Sequence, residues 1–161
     1  MGTVDDVRWL TDAEIDTWLK FRAVVELYPG VLDGQLRRDS DLTHMEYQVL
    51  AMLSEATTFT LRMTALSNRT NSTLTRMSHV VTRLEHRGLV ERSRSPEDGR
   101  ATNVTLTASG HATLVQAAPG HVTQVRASFL DALDAERLAQ LDGICDAILD
   151  RIDPEAKMTA R

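Results

Sequence analysis

From Thr11 to Tyr28 the apolar positions Ile15, Trp18, Leu19 and Val25 recur at helical spacing. Thr11 is placed as an N-cap, with Asp12 and Glu14 in the first turn, so the stretch predicts a helix. Pro29-Gly30 is expected to interrupt it. Val31, Leu32 and Leu36 then continue a second helical segment to about Arg38, and Asp39-Ser40-Asp41 reads as a turn. Thr43 caps the next expected helix, THMEYQVLAMLSEA, whose stripe is Met45, Val49, Met52 and Leu53, broadened by Leu50 and Ala51. A short helix is expected from Leu61 to Ser67 and a turn from Asn68 to Asn71. Asn71 or Ser72 then caps a longer helix that runs to about Arg87 and stops at Gly88. Leu89 to Arg94 and Ala101 to Leu106 read as strands, the second because Val104 and Leu106 alternate with Asn103 and Thr105. Thr107 caps a long helix from Ala108, with a kink or break expected at Pro119-Gly120. A last helix from Ala135 to Arg151 carries Leu138, Leu141, Ile144, Cys145, Ile148 and Ile152 on one side.

The order short helix, turn, longer helix, strand, loop, strand is that of a winged helix-turn-helix, and the expected fold class is mainly α with a small β wing. On the longer helix, 100° per residue gathers Leu74, Met77, Val81, Leu84 and Gly88 on one side. Ser72, Thr75, Arg76, His79, Arg83 and His86 fall on the other. Such a face suits the major groove, where Arg pairs with guanine O6 and N7 and Ser or Thr bonds to bases or phosphates. Thr73 at the start of this helix and Arg94 at the end of the first wing strand complete the candidate DNA-binding set. Between the strands, Ser93 to Arg100 contains Pro96 and Asp98-Gly99, which are turn chemistry. Arg100 at the return of the hairpin is expected in the narrow minor groove. Asp98 would be repelled by phosphate and is expected to orient its neighbours, by pairing with an Arg or capping the turn.

Charge sharpens this picture. The chain of 161 residues has a formal net charge of −5, which looks wrong for a partner of DNA. From Leu61 to Ala101, however, eight Arg face four acidic residues, giving +4, and the remaining 10 basic and 19 acidic residues give −9. Basic charge is therefore concentrated on the motif. The length suits one domain with a sizeable core. A single cysteine, Cys145, rules out an internal disulfide framework or a multi-cysteine metal site and fits a reducing cytoplasm. Its place in the apolar stripe of the last helix makes a buried, inert thiol the expectation. Asp5, Asp6 and Arg8, followed by no apolar stretch, argue against a signal peptide, and no run approaches the ~18 apolar residues of a membrane span.

Other function classes fare poorly. His44-Met45-Glu46 has the H-x-E spacing of zinc deaminases but lacks their cysteine pair. H-E-x-x-H, G-x-S-x-G, G-x-G-x-x-G and the P-loop are absent, so an enzyme is not expected. His44, Glu46, His111 and His121 have no ligand spacing, and neither metal nor cofactor is expected. The nearer rival is an architectural protein that binds all duplexes alike through phosphates, but the mixed Ser/Thr/His/Arg face argues against it.

Four stretches, LTHMEYQVLAML (42–53), SHVVTRLEHRGLV (78–90), PEDGR (96–100) and LTASG (106–110), resemble the multiple-antibiotic-resistance-regulator (MarR) family of bacterial transcription factors. The resemblance covers nearly the whole chain, and Asp98-x-Arg100 is its most specific element. It implies one domain, with residues 11–38 and 108–152 as dimerisation helices and 43–107 as the winged-helix DNA-binding lobe. It further implies a cytoplasmic, nucleoid-associated homodimer on double-stranded DNA, more often a repressor. Trp18, Leu138, Leu141, Ile144 and Ile148 would then serve core and dimer packing. Many members release DNA when a small aromatic acid enters a crevice; by alignment Trp18, Arg22, His44 and Tyr47 would line it, with Arg22 on the carboxylate.

Overall fold

The computed structural model describes residues 7–96 and 98–159; Asp5, Asp6 and Glu97 lie outside the described residues. In chain order the elements are α1 (Asp12–Ser40), α2 (His44–Glu55), β1 (Thr60–Arg62), α3 (Met63–Arg69), α4 (Leu74–His86), β2 (Val90–Arg94), β3 (Thr102–Leu106), α5 (Ala108–Ser128) and α6 (Ala135–Ile152). A single 3-10 turn, Leu130–Ala132, precedes α6. Two compact units, residues 1–31 and 32–161, divide the chain.

In the first unit, the start of α1 is held by reciprocal bonds. The Glu14 N–H donates to Thr11 Oγ1 (3.3 Å) and the Thr11 N–H to Glu14 Oε2 (2.7 Å), a capping box. Trp18, Leu19, Phe21, Val24, Val25 and Leu27 are all exposed on the single chain. The expected interruption at Pro29-Gly30 does not occur, since α1 runs through Pro29 without a break. Proline removes one donor from a helix interior, and a helix of 29 residues keeps its bonded turns on either side.

The second unit is built on α2. Thr43 caps it as expected: Glu46 N–H donates to Thr43 Oγ1 (3.1 Å), and Thr43 N–H donates to Glu46 Oε2 (2.8 Å). Its buried residues are Val49, Leu50 and Leu53 together with Glu46, which the sequence pattern did not place inside. Val49, Leu50 and Leu53 join Leu36, Leu42, Leu66, Met77, Val80, Val81, Leu84, Leu89, Val90, Val104, Leu106, Leu114 and Ala117 in one core. Burial of such Leu and Val side chains, at roughly 1.5–3 kcal/mol each, is what holds α2, α3, α4 and α5 around the sheet.

The sheet has three antiparallel strands in the order β1-β3-β2. Leu61 pairs with Val104 and Arg92 with Val104 from the other side. Strand β1 replaces the first turn of the helix expected from Leu61, so α3 begins at Met63. Three residues are too few for a period-2 pattern; pairing with β3 decides the matter. Gly88 is the C′ residue of α4 as expected, with φ +70°. Gly88 N–H donates to the Glu85 carbonyl and Leu89 N–H to the Leu84 carbonyl (both 2.9 Å), a Schellman closure.

Helix α5, capped by Thr107, also runs on through the break expected at Pro119-Gly120. Gly120 is there for close approach: a Cβ on it would stand 3.2 Å from Gln35 Nε2. Helix α6 buries none of its residues within the chain. Cys145 is exposed on the single chain, contrary to the expected buried thiol: its stripe is only partly covered, with Leu141 and Ile148 half-buried and Leu138, Ile144 and Ile152 exposed. No helix of the described residues is long and apolar enough to cross a membrane.

Candidate nucleic-acid interface

Helix α4 presents the face that the sequence singles out. The turn before it is tight. Asn71 takes φ +46°, and Ser72 N–H donates back to the Ser67 carbonyl (2.9 Å). The cap is Thr73, one residue beyond the Asn71 or Ser72 expected, and its Oγ1 accepts from Arg76 N–H (3.2 Å). Asn71 takes the left-handed turn position and the Ser72 N–H closes the turn, while Thr73, with extended backbone, caps the helix. Met77, Val80, Val81 and Leu84 form the buried arc. Leu74 was expected on it but is exposed: the arc is rotated toward Val80, leaving the first helical residue at its edge. Thr73, Thr75, Arg76, His79, Arg83 and His86 are exposed and Ser72 is half-buried.

The wing is a hairpin with Arg94 opposite Thr102. Ser95 N–H donates to the Ala101 carbonyl (2.9 Å), and Ala101 N–H to the Asp98 carbonyl (2.8 Å). Asp98 Oδ1 accepts from the Arg100 N–H at 3.1 Å. Of the two roles expected for Asp98, the geometry is that of a turn cap. Arg76, Arg94 and Arg100 make no ion pair among the described residues.

Other arginines of the basic stretch are engaged. Arg92 Nη2 and Nε donate to Glu85 Oε2 (2.6 and 2.9 Å), and Arg92 N–H donates to Glu85 Oε1 (3.1 Å). These side-chain bonds from Arg92 hold the Glu85 carboxyl below its ordinary range. Arg83, expected in the DNA-binding set, directs its Nε to Glu46 Oε1 at 3.0 Å. Arg87 Nη1 donates to the Asp41 carbonyl (2.8 Å). Sequence reasoning missed the Arg83 and Arg87 links because their partners lie 37 and 46 residues away, and the Glu85–Arg92 link because it crosses from a helix to a strand.

The residues expected around an effector divide between the two units. In the first, the Trp18 and Phe21 rings stand 6.2 Å apart and Arg22 lies 3.9 Å from Glu26. In the second, His44 and Tyr47 of α2 gather on His121 of α5, with ring centroids 6.0 and 4.2 Å from it. Burial, and then the neighbouring His121, lower the His44 pKa against the opposing pull of Asp33. Burial lowers His121 and raises Tyr47. In the sequence His121 offers a metal-ligating side chain without ligand spacing and nothing that points to Tyr47. His111 instead stands by Phe59, and Glu46 by Arg83 and Thr43. No group of three or more metal-ligating residues occurs among the described residues.

Comparison with known proteins agrees with this geometry. The model of the MarR family matches residues 40–101. The chain is 30% identical over 96 residues to the HTH-type transcriptional repressor YetL of Bacillus subtilis (strain 168), a match covering 60% of this chain and 58% of YetL. It is 32% identical over 103 residues to the transcriptional regulator HosA of Escherichia coli O111:H-, covering 64% of this chain and 68% of HosA. For the first two curated relatives it matches, the chain spans about three-fifths of their length. Among solved structures, the MarR family regulator Sco3205 of Streptomyces coelicolor, in complex with DNA, superimposes with a TM-score of 0.88 at 37% identity, over 93% of this chain and 94% of that one. AbsC, a MarR family regulator of the same organism, gives 0.85 at 35% identity, over 91% and 98%.

Proposed function

Because the chain belongs to the MarR family of transcriptional regulators, we propose that it is a sequence-specific repressor that binds a pseudo-palindromic operator as a homodimer in the bacterial cytoplasm. The observation that carries this reading is the face of α4. Thr75, Arg76 and His79 point away from the core on the helix that a capped turn and a wing flank, and Arg100 sits on a turn that Asp98 fixes. In this reading Thr75, Arg76 and His79 address base edges in the major groove, Ser72, Thr73 and Arg94 address the backbone, and Arg100 enters the minor groove.

Dimerisation is the use for the apolar side chains left open on the single chain. Ile15, Trp18, Leu19 and Val25 in the first unit and Leu138, Ile144 and Ile152 in the second are exposed, and a second copy would cover them. Two recognition helices would then stand about one DNA turn apart, ~34–36 Å. An aromatic effector would act by favouring a dimer with a different separation. His44 and Tyr47, gathered on His121 in the second unit, are proposed to contact the effector; Trp18 and Arg22 in the first unit are carried over from the family resemblance alone. Loss of DNA binding on adding an aromatic carboxylate, absent in Arg22→Ala or Tyr47→Ala, is the expected result. An effector response unchanged in both variants removes that part of the reading.

The test of the whole reading is selection from a random duplex pool at physiological salt, followed by sequencing of the retained DNA. A two-fold-symmetric motif with half-sites about one turn apart is expected. Retention without enrichment would identify an architectural binder of duplexes instead.

A further inference from the structure

We propose that Arg83 is a positioning residue, which sets the orientation of the recognition helix α4 through the buried cap carboxylate of α2, Glu46. This inference rests on the reading of α4 as the DNA-reading helix. It departs from the expectation that Arg83 itself contacts DNA.

The argument begins with Glu46. Its side chain is 6% exposed, against 55% for Arg83. A buried carboxylate is costly unless each oxygen is bonded. Oε2 accepts from the Thr43 backbone and so closes the capping box. Oε1 accepts from Arg83 Nε. Burial alone would raise the Glu46 carboxyl; the Thr43 N–H, Arg83 and the Thr43 hydroxyl outweigh it and leave it lowered. A cap needs only the first of these oxygens. The second binds α4.

The same side of α4 is tied once more, one turn on, where Arg87 donates to the Asp41 carbonyl just before α2. Arg83, Arg87 and His86 line one wall of a cleft of about 480 Å³, with Arg37, Thr43 and Glu46 on the other. Apart from these bonds and the Glu85–Arg92 pair that ties its outer side to β2, α4 meets the core through Met77, Val80, Val81 and Leu84. Apolar contacts have no direction and let a helix slip or roll by small amounts; a charge-assisted bond to a fixed carboxylate does not. The Asp33 carboxylate, which accepts from the His44 N–H (2.9 Å), secures the first turn of α2 from the other side, so the anchor is itself held. The rotation of α4 decides whether Thr75, Arg76 and His79 meet bases or miss them.

The test uses the selected operator and a random duplex of equal length. Glu46→Gln keeps a residue that can close the capping box but removes the buried charge. Arg83→Met removes the guanidinium. Each variant is expected to lower the operator-to-random affinity ratio by roughly 3- to 30-fold, and the double variant no further than one of them. The salt dependence on random duplex is expected to stay that of the parent. The inference is overturned if Glu46→Gln keeps the parental ratio. It is equally overturned if Arg83→Met weakens both duplexes alike and lowers the salt exponent by about 0.9, the mark of one lost phosphate contact. Simple instability would reduce the active fraction on both duplexes and leave the ratio alone. Should Arg83→Met not fold, Arg83→Lys keeps the cation without the guanidinium geometry, and a parental ratio there overturns the inference. A parent protein with no sequence preference removes the recognition-helix reading, and this inference with it.

Discussion

Glu85 and Arg92 lock the outer side of α4 to the first wing strand: one carboxylate oxygen accepts from both Nε and Nη2, and the other from the Arg92 backbone. The helix and the wing, the two parts proposed to face DNA, therefore share a polar hinge pin at the surface. Both side chains keep about a third of their exposure, so solvent screens the pair. Glu85→Ala is expected to lower unfolding free energy by only about 1 kcal/mol, and operator affinity by more than that loss of stability accounts for. Denaturant titration and operator binding on the same preparation check this. An unchanged operator affinity would show that the wing is placed without the pair.

Separate roles for α4 and the wing predict separable phenotypes. Arg76→Ala and His79→Ala are expected to change which bases are preferred. Arg100→Ala is expected to weaken operator and random DNA more evenly, by about 1–3 kcal/mol if its groove contact is lost. Repeating the duplex selection with each variant reads both effects. Identical effects of all three variants on the two duplexes would contradict the assignment.

Asp98 offers a sharper case, since simple electrostatics and the turn geometry predict opposite signs. Removing an acidic side chain beside DNA should tighten binding if charge alone mattered. The carboxylate, however, bonds the Arg100 N–H and so shapes the turn that carries Arg100. Asp98→Ala is expected to weaken binding by roughly 1 kcal/mol. Tighter binding in this variant would mean that the turn holds its shape without Asp98.

What the sequence revealed and concealed follows from the range of the interactions involved. Thr43, Thr107 and Gly88 were legible as helix ends because caps are decided within a few residues. The polar face of α4 and the β3 alternation were legible because each repeats with the period of its own element. Pro29 and Pro119 misled, since a proline inside a long helix costs one bond and local signals cannot weigh that against the rest of the helix. Strand β1 exists through its pairing with β3, 45 residues away at Thr60 and Thr105. In the sequence Glu46 stands out only for its spacing from His44; its partner Arg83 lies 37 residues on. In the candidate site, the residue types were readable and their partners were not.

Gly110 marks another long-range constraint. A Cβ there would run into the backbone carbonyl of Leu89, with Leu106 Cδ1 at 2.8 Å. Backbone cannot yield as a side chain can, so the first turn of α5 tolerates only glycine against the start of β2. Gly110→Ala is expected to destabilise the fold by about 1–3 kcal/mol, although alanine is the better helix former. Chemical denaturation measures it, and a variant as stable as the parent would show that α5 can shift away from Leu89.

The His44–His121 pair predicts a pH dependence whose sign can be worked out. Both groups lie below the ordinary value of 6.5 in the folded chain, through burial and, for His44, the neighbouring His121; the Asp33 carboxylate opposes this for His44 without reversing it. Above about pH 7 both rings are neutral in folded and unfolded chains and contribute no difference. As pH falls through 6.5, the unfolded chain takes up protons that the folded chain resists. Folding stability must therefore decrease with falling pH until the folded pair protonates as well. The window lies above the range where most carboxylates titrate, so unfolding measured from about pH 8 to about pH 5.5 isolates it. The parent is expected to lose stability across that range, and His121→Phe, which keeps a ring against Tyr47 but cannot titrate, to lose distinctly less. Equal slopes for the two proteins would show that the pair does not govern stability in that range.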